Sequence, residues 1–119
     1  MKLQFCSLAS GSSGNCYLVR TESTSVLVDA GISKKKIQEG LCTLGIQLES
    51  IQGLLITHEH TDHTKSVSTV SKGCPKLEIY ATDGTWENME QEVPSTRRHS
   101  VKAGELFSIG DLQVRPFCL

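Results

Sequence analysis

The sequence predicts an α/β (α+β) fold in which helices flank a mixed β-sheet. Three short apolar segments, at residues 3–8, 16–20 and 25–29, are separated by turns rich in glycine, serine and threonine, as expected for consecutive strands. Further along the chain, short apolar runs alternate with segments of helical periodicity. A chain of 119 residues is long enough for one domain with its own core.

The turn between the first two predicted strands is Ser10-Gly11-Ser12-Ser13-Gly14-Asn15. Glycine and serine favour a flexible turn. The alternative is a cradle whose backbone N–H groups bind a phosphate. It is not a P-loop, because no Gly-Lys-Ser/Thr follows it. Both interpretations stay open at the level of sequence.

The first predicted helix follows Ser33, a residue that favours the N-cap position. Ile37, Leu41 and Leu44 recur at i, i+4 and i+7, which gives the helix one apolar stripe. Gly45 is expected to end it.

The remaining elements are predicted from shorter patterns. We expect a buried strand at 53–56, a helix at 64–72, a strand at 77–81, a short helix at 83–90 and a hairpin of strands 105–109 and 112–118. Gly73-Cys74-Pro75 breaks the helix before it, and Gly110-Asp111 is typical of the hairpin turn.

The most informative segment is Thr57-His58-Glu59-His60-Thr61-Asp62-His63, which directly follows the predicted strand 53–56. It contains three of the four histidines, and imidazole and carboxylate are ligands for first-row metals. Alternate residues of an extended segment point to the same side, so His58 and His60 can bind one ion. Asp62 and His63 would then face a second point. The alternative is a polar loop with core or surface histidines. It is not the helical zincin motif, because position 62 is aspartate.

His58-x-His60-x-Asp62-His63 resembles the HxHxDH motif of the metallo-β-lactamase-fold hydrolases. The segment 25–31 is similar to the strand of that family that ends in a supporting aspartate, here Asp29. Segments 8–15, 56–60 and 80–86 resemble the bacterial YycJ/VicX-like subgroup.

This resemblance implies an αββα sandwich, of which residues 1–119 would form the N-terminal half. It implies two divalent ions, zinc or manganese, with His58 and His60 at the first and Asp62 and His63 at the second. Asp62 would also act in catalysis by orienting the nucleophile. Asp29 would orient, through hydrogen bonds, the segment 57–63 that carries these ligands, called the ligand loop below. The alternative is a plain turn aspartate.

The activity implied by the resemblance is phosphodiester hydrolysis by a metal-bound hydroxide, with DNA as a possible substrate. Two alternatives remain: a non-catalytic metal-binding or regulatory module, and a thioester or small-phosphodiester hydrolase. The family's remaining ligands are expected beyond Leu119. One apolar sheet face would then be uncovered, which favours self-association.

Composition limits the other possibilities. The net charge of −1 gives no global attraction for nucleic acid. The five cysteines are odd in number and form no C-x-x-C pair, so we expect reduced thiols and a cytoplasmic protein, with Cys74 as the best candidate for an exposed thiol. No apolar stretch approaches the roughly 20 residues that span a bilayer, so no membrane association is expected. His99 lies in a polar stretch and is expected to be a solvated surface histidine.

Overall fold

The computed structural model describes residues 2–117 and arranges them around a six-stranded mixed sheet. Its strands lie side by side in chain order: β1 (Gln4–Ala9), β2 (Cys16–Arg20), β3 (Ser25–Val28), β4 (Gly53–Leu55), β5 (Glu78–Ala81) and β6 (Arg98–Ser100). Strands β1 to β3 pair antiparallel, whereas β3 to β6 pair parallel. A separate antiparallel hairpin contains β7 (Phe107–Ile109) and β8 (Leu112–Val114). The predicted fold class is confirmed.

Residues 2–117 contain the α-helices α1 (Lys34–Cys42), α2 (Thr61–Thr64), α3 (Val67–Gly73) and α4 (Asp83–Asn88), and 3-10 helices at Leu48–Ser50 and Ser95–Arg97. Ser33 is the N-cap of α1, as predicted, and its hydroxyl accepts a hydrogen bond from the Lys36 amide at 3.2 Å. The helix ends at Cys42, earlier than predicted, and Gly45 adopts a φ of +72° in the turn that follows.

The main core lies between the sheet and helices α1 and α3. Its members are apolar side chains from one face of the strands and from the stripes of both helices: Leu18, Leu27, Leu54, Ile79, Ile37, Leu41, Val67 and Val70. Full burial of each such side chain stabilises the fold by about 1.5–3 kcal/mol. On the other face, a smaller cluster joins Val26 to Ile109 and Leu112 of the hairpin.

That second face is only partly covered. The hairpin packs on it, and Phe5 is 67% exposed. A cavity of about 540 Å³ opens on the same side, lined by residues that include Val28, Leu55, Tyr80 and Phe117. The expected uncovered face is therefore found in part, because the hairpin folds back over Val26 while Phe5 stays exposed. Self-association through this face stays a prediction.

Strand β6 was not predicted. Arg98-His99-Ser100 has no apolar pattern, and the strand forms because Ile79, Tyr80 and Ala81 of β5 offer it a parallel partner. The indole of Trp86 also donates a hydrogen bond to the His99 carbonyl at 3.0 Å. Tertiary contacts, and not local propensity, produce this element.

The predicted helix 64–72 begins earlier and is interrupted. Helix α2 starts at Thr61, and the chain turns at Ser66 before α3 begins. The Ser66 amide and hydroxyl both donate to the Ala30 carbonyl, at 2.9 and 3.1 Å. These hydrogen bonds to Ala30 take the place of the helical hydrogen bonds that Ser66 would make, so the helix is interrupted there.

The four cysteines that the structure describes are free thiols. The expectation that Cys74 is exposed is wrong: its side chain is 4% exposed and packs in the main core, whereas Cys42 is exposed. Cys118, with the end of the predicted strand 112–118, lies outside the described residues. Across residues 2–117, no helix has both the length and the apolar character needed to cross a bilayer.

Candidate metal centre

The histidine-rich loop lies at the carboxyl end of β4, within the parallel part of the sheet. Ile56 is buried, and its amide donates to the Tyr80 carbonyl on β5 at 2.9 Å, which extends the strand pairing up to the loop. His58 and His60 are exposed, whereas Asp62 and His63 are partly buried in α2. The carboxyl edge of parallel strands is where α/β folds place their sites.

Asp29 follows β3 at the same edge and has a left-handed backbone. Its φ is +64°, its amide donates to the Leu55 carbonyl at 2.7 Å, and its side chain is almost fully buried. Aspartate tolerates this conformation better than most residues. The left-handed turn brings the chain beneath the ligand loop, where the Ala30 amide donates to the His63 carbonyl at 2.8 Å.

The carboxylate of Asp29 accepts three hydrogen bonds from the ligand loop. The Thr57 amide donates to Oδ1 at 2.7 Å, and the Thr57 hydroxyl and His63 Nδ1 approach Oδ2 at 2.6 Å each. Because an ionised carboxylate only accepts, the proton of His63 must lie on Nδ1. The lone pair of the neutral imidazole is therefore on Nε2, where it can bind a cation.

Thr57 extends this orientation to a second histidine. Its single hydroxyl proton is used toward Asp29, so its oxygen accepts from His58 Nδ1, which lies 3.0 Å away. The lone pair of His58 is then also on Nε2. The two rings lie with their centroids 4.8 Å apart. One buried carboxylate thus sets the tautomer of two imidazoles.

Asp62 supplies an oxygen donor beside His63. Its Oδ2 lies 3.6 Å from His63 Nε2. Two donor atoms bound to one tetrahedral zinc at about 2.0–2.1 Å lie roughly 3.4 Å apart. The separation of these two atoms, and the neutral tautomer with its lone pair on Nε2 that the contact with Asp29 selects, suit a shared divalent cation.

His60 is set apart from the other rings. Its centroid is 6.2 Å from that of His58, and it lines a separate polar cavity of about 350 Å³ together with Glu59, Asn88 and Glu90. Within the described part of the chain, no three histidine, cysteine, aspartate or glutamate side chains form a group that could hold a metal ion. The structure therefore brings Asp62 and His63 together and leaves His60 apart, and the assignment of His58, His60, Asp62 and His63 as ligands stays a prediction.

His99 lies away from this loop, on β6. Its ring stacks on Tyr80 with the centroids 4.7 Å apart, and its Nε2 lies 3.4 Å from a Glu78 carboxylate oxygen. Its side chain is 42% exposed, but among the described residues its Nε2 is buried and has no hydrogen-bond partner, so the expectation of a solvated surface histidine holds only in part.

Two supporting residues were not predicted from sequence. A Cβ added to Gly31 would overlap the Asp62 carbonyl oxygen, so only glycine permits this approach of β3 to α2. Asn15 hydrogen-bonds to Asp62 through its backbone amide at 2.8 Å. The available signal was the family resemblance of segments 25–31 and 8–15, which contain Gly31 and Asn15, but it assigned no contact to either residue.

The thiol of Cys16 lies behind this network and is excluded from solvent. Burial, with a smaller contribution from the negative charge of Asp29, raises the pKa of Cys16 to about 12. The thiol is therefore neutral at physiological pH and does not compete with the histidines for a cation.

Comparison with known families identifies the class of protein that this fold and loop define. A family model described as the beta-lactamase superfamily domain matches residues 24–119. The chain therefore belongs to the beta-lactamase superfamily.

Among curated proteins, the chain is similar to the exodeoxyribonuclease WalJ of Streptococcus pneumoniae, with 36% identity over 92% of this chain and 42% of the relative. It is 34% identical to the exodeoxyribonuclease YycJ of Bacillus anthracis, over 98% of this chain and 45% of the relative. A more distant relative is the anaerobic nitric oxide reductase flavorubredoxin of Vibrio vulnificus, with 30% identity over 87% of this chain and 22% of that protein. The chain spans less than half the length of these relatives.

Solved structures give the same fold. A B3 metallo-β-lactamase with an active-site glutamic acid superposes with a TM-score of 0.73 at 20% identity, over 87% of this chain and 45% of that one. The metallo-β-lactamase SMB-1 superposes with a TM-score of 0.73 at 19% identity, over 92% of this chain and 48% of that one. The mixed sheet and its flanking helices thus match the metallo-β-lactamase fold over part of its length.

Proposed function

We propose that this chain carries metal ligands of a metal-dependent phosphodiesterase that acts on DNA as an exonuclease, in the cytoplasm. The observation that carries the proposal is the buried carboxylate of Asp29, which holds His63 directly and His58 through Thr57, each with Nε2 free. The substrate class is supported by the relatives named exodeoxyribonuclease WalJ and YycJ.

In this proposal His58 and His60 hold one divalent ion, and Asp62 and His63 hold a second. The ions are zinc or manganese. When bound, such ions activate water near neutral pH and stabilise charge on the attacking and leaving oxygens of a phosphodiester. Asp62 would bind the second ion and would also orient the attacking water. Asp29 keeps His63 in the tautomer that binds metal.

The net charge of the chain bears on how a phosphodiester substrate would be attracted to the site. The net charge is −1, so the chain has no general basic footprint for DNA. A pair of bound divalent ions would be the largest positive charge near the loop. We therefore expect phosphate binding to depend on the metal and not on a basic surface of this chain.

Metal binding tests the ligand assignment directly. We expect the purified chain to bind zinc or manganese, and a His58→Ala/His60→Ala variant to lose most of it, as measured by titration and elemental analysis. His99→Ala is the matched control, because His99 is an imidazole outside the loop. Equal metal content in the double variant and the wild type would contradict the assignment.

Turnover tests the reaction class. We expect the 119-residue chain to show little hydrolysis of labelled DNA or bis(p-nitrophenyl) phosphate, because it supplies only four candidate ligands, and a longer protein that contains it to cleave both with zinc or manganese. Strong turnover by the 119-residue chain that is lost on His58→Ala would contradict the expectation that this chain alone is nearly inactive. A longer protein that is inert on both substrates but active on thioesters would replace the phosphodiesterase with a thioesterase.

A second candidate is a metal-binding or regulatory module without hydrolase activity. The similarity to an anaerobic nitric oxide reductase flavorubredoxin keeps this candidate in view, because that relative is not named for hydrolysis. A longer protein that binds metal fully and hydrolyses none of these substrates would support it. Self-association through the second sheet face is a further proposal, which sedimentation velocity over a range of concentrations tests.

A further inference from the structure

Asn15 ends the turn between β1 and β2, residues 10–15, called the glycine–serine loop here. Its side chain links this loop to Asp62 of the ligand loop, 47 residues further along the chain. Its side chain is largely buried, at 8% exposed. The amide oxygen accepts from the Gly11 amide and the Tyr17 hydroxyl, at 3.1 Å each. The amide nitrogen has two N–H groups and three acceptors, the Gly11 carbonyl at 2.9 Å and, on Asp62, the carbonyl oxygen at 3.2 Å and Oδ2 at 3.4 Å, so one N–H is shared between two acceptors.

The orientation of this amide is fixed by its partners. The Gly11 amide can only donate and the Gly11 and Asp62 carbonyls can only accept, so the side-chain oxygen must face the former and the NH₂ group the latter. The oxygen that Asn15 approaches is the same Oδ2 that lies 3.6 Å from His63 Nε2. A carboxylate oxygen has more than one lone pair, so Oδ2 can accept this hydrogen bond and still bind a cation.

The side chain is not the only tether between the two loops. The Asn15 backbone amide donates to the Asp62 carbonyl at 2.8 Å, and the Gly31 amide donates to the Asn15 carbonyl at 2.9 Å. These contacts hold the backbone in place whatever side chain stands at position 15. The side chain adds its contacts to Gly11 and Tyr17, and it alone directs an N–H of Asn15 at the Asp62 carboxylate.

We propose that Asn15 is a positioning residue for the metal site, whose amide fixes the Asp62 carboxylate in the rotamer that shares a cation with His63. The inference rests on the proposed function, because it requires Asp62 to bind metal. Hydrogen-bond partners of metal ligands commonly contribute 10- to 100-fold to metal affinity. The same side-chain amide hydrogen-bonds to the backbone of Gly11, so it also fixes the position of the glycine–serine loop relative to Asp62.

A double-mutant cycle on zinc and manganese affinity tests this role, measured on the 119-residue chain by competition with a chromophoric chelator. We expect Asn15→Ala to weaken affinity about 10-fold or more. The same substitution should cause no further loss in an Asp62→Ala background, because its effect acts through that carboxylate. Tyr17→Phe is the matched control: it removes one contact to Asn15 but none to Asp62, and should change affinity little.

Each outcome separates the two proposals. If Asp62→Ala leaves affinity unchanged, the ligand assignment fails, and the role of Asn15 fails with it. If Asp62→Ala weakens affinity but Asn15→Ala has no effect, or the same effect in both backgrounds, only the role of Asn15 is overturned. Thermal unfolding accompanies every variant. Should Asn15→Ala not fold, Asn15→Ser enters the same cycle with the same expectation, because its hydroxyl is too short to reach Oδ2.

Discussion

Two aspartates at opposite ends of the molecule receive similar hydrogen bonds with different consequences. Asp29 is 1% exposed at the ligand-loop edge of the sheet, whereas Asp111 is exposed in the turn of the β7–β8 hairpin. Asp111 accepts from the Thr21 and Ser23 hydroxyls at 2.7 and 2.8 Å, and its amide donates to the Thr24 hydroxyl at 3.1 Å. Asp29 orients two imidazoles; Asp111 fastens a hairpin to the turn between β2 and β3.

Burial explains the difference. Around Asp111, water can replace any hydrogen bond that is lost. Around Asp29 it cannot, so a change there leaves unsatisfied donors or forces a histidine to change its tautomer. We therefore expect stability to fall when a single side-chain atom is changed near Asp29, and to change little when residues around Asp111 in the hairpin turn are substituted.

The largest expected effect comes from Gly31→Ala. The new Cβ would overlap the Asp62 carbonyl, a backbone atom that cannot rotate away, so we expect destabilisation by about 3 kcal/mol or more. Gly84→Ala in α4 is the matched control, since no heavy atom lies within 4 Å of its Cβ position. It should be neutral or stabilise by up to about 1 kcal/mol. Urea unfolding measures both, and similar stabilities for the two variants would contradict the close approach.

The next effect is that of Asp29→Asn. The Thr57 amide can only donate, so the new side-chain oxygen must face it and the new NH₂ must face His63. His63 Nδ1 then accepts, and its proton moves to Nε2, the atom expected to bind metal. We expect a loss of about 1–3 kcal/mol of stability and a change of tautomer. Long-range ¹H–¹⁵N spectra of the imidazole detect the tautomer. A proton that stays on Nδ1 would disprove the proposed orientation, and Asp111→Asn should leave His63 unchanged.

The smallest effect concerns Asp111 and appears only in acid. Hydrogen bonding by the Thr24, Thr21 and Ser23 hydroxyls lowers the pKa of Asp111 from 3.8 to about 2. A carboxyl whose folded pKa is depressed stabilises the fold above its unfolded pKa and loses that contribution as the pH falls through the folded value. We therefore expect the stability difference between wild type and Asp111→Asn to be constant above about pH 5 and to be mostly lost by about pH 2. A difference that persists below pH 2 would assign it to shape and not to charge.

The predictable parts of the fold are those with a local cause. Ser33 caps a helix because its hydroxyl is adjacent to the amides that need it, and Ile37 and Leu41 face the core because the helical period places them together. Strands β2 and β3 follow from their apolar patterns for the same reason. The boundaries of α2 and α3 could not be predicted, because the Ala30 carbonyl that anchors Ser66 is 36 residues away.

The sequence by itself determined the class of fold and the identity of the candidate ligands, since strand patterns and a run of histidines with an aspartate are properties of neighbouring residues. The family resemblance already predicted a supporting role for Asp29, but only the tertiary structure decided which atoms it contacts and that Asn15 joins it beside the candidate ligands. Asp29 lies 34 residues from His63, and Asn15 lies 47 residues from Asp62. Their carboxylate and amide gain their roles because β2, β3 and β4 are adjacent in the sheet, which brings the ends of distant segments to one edge.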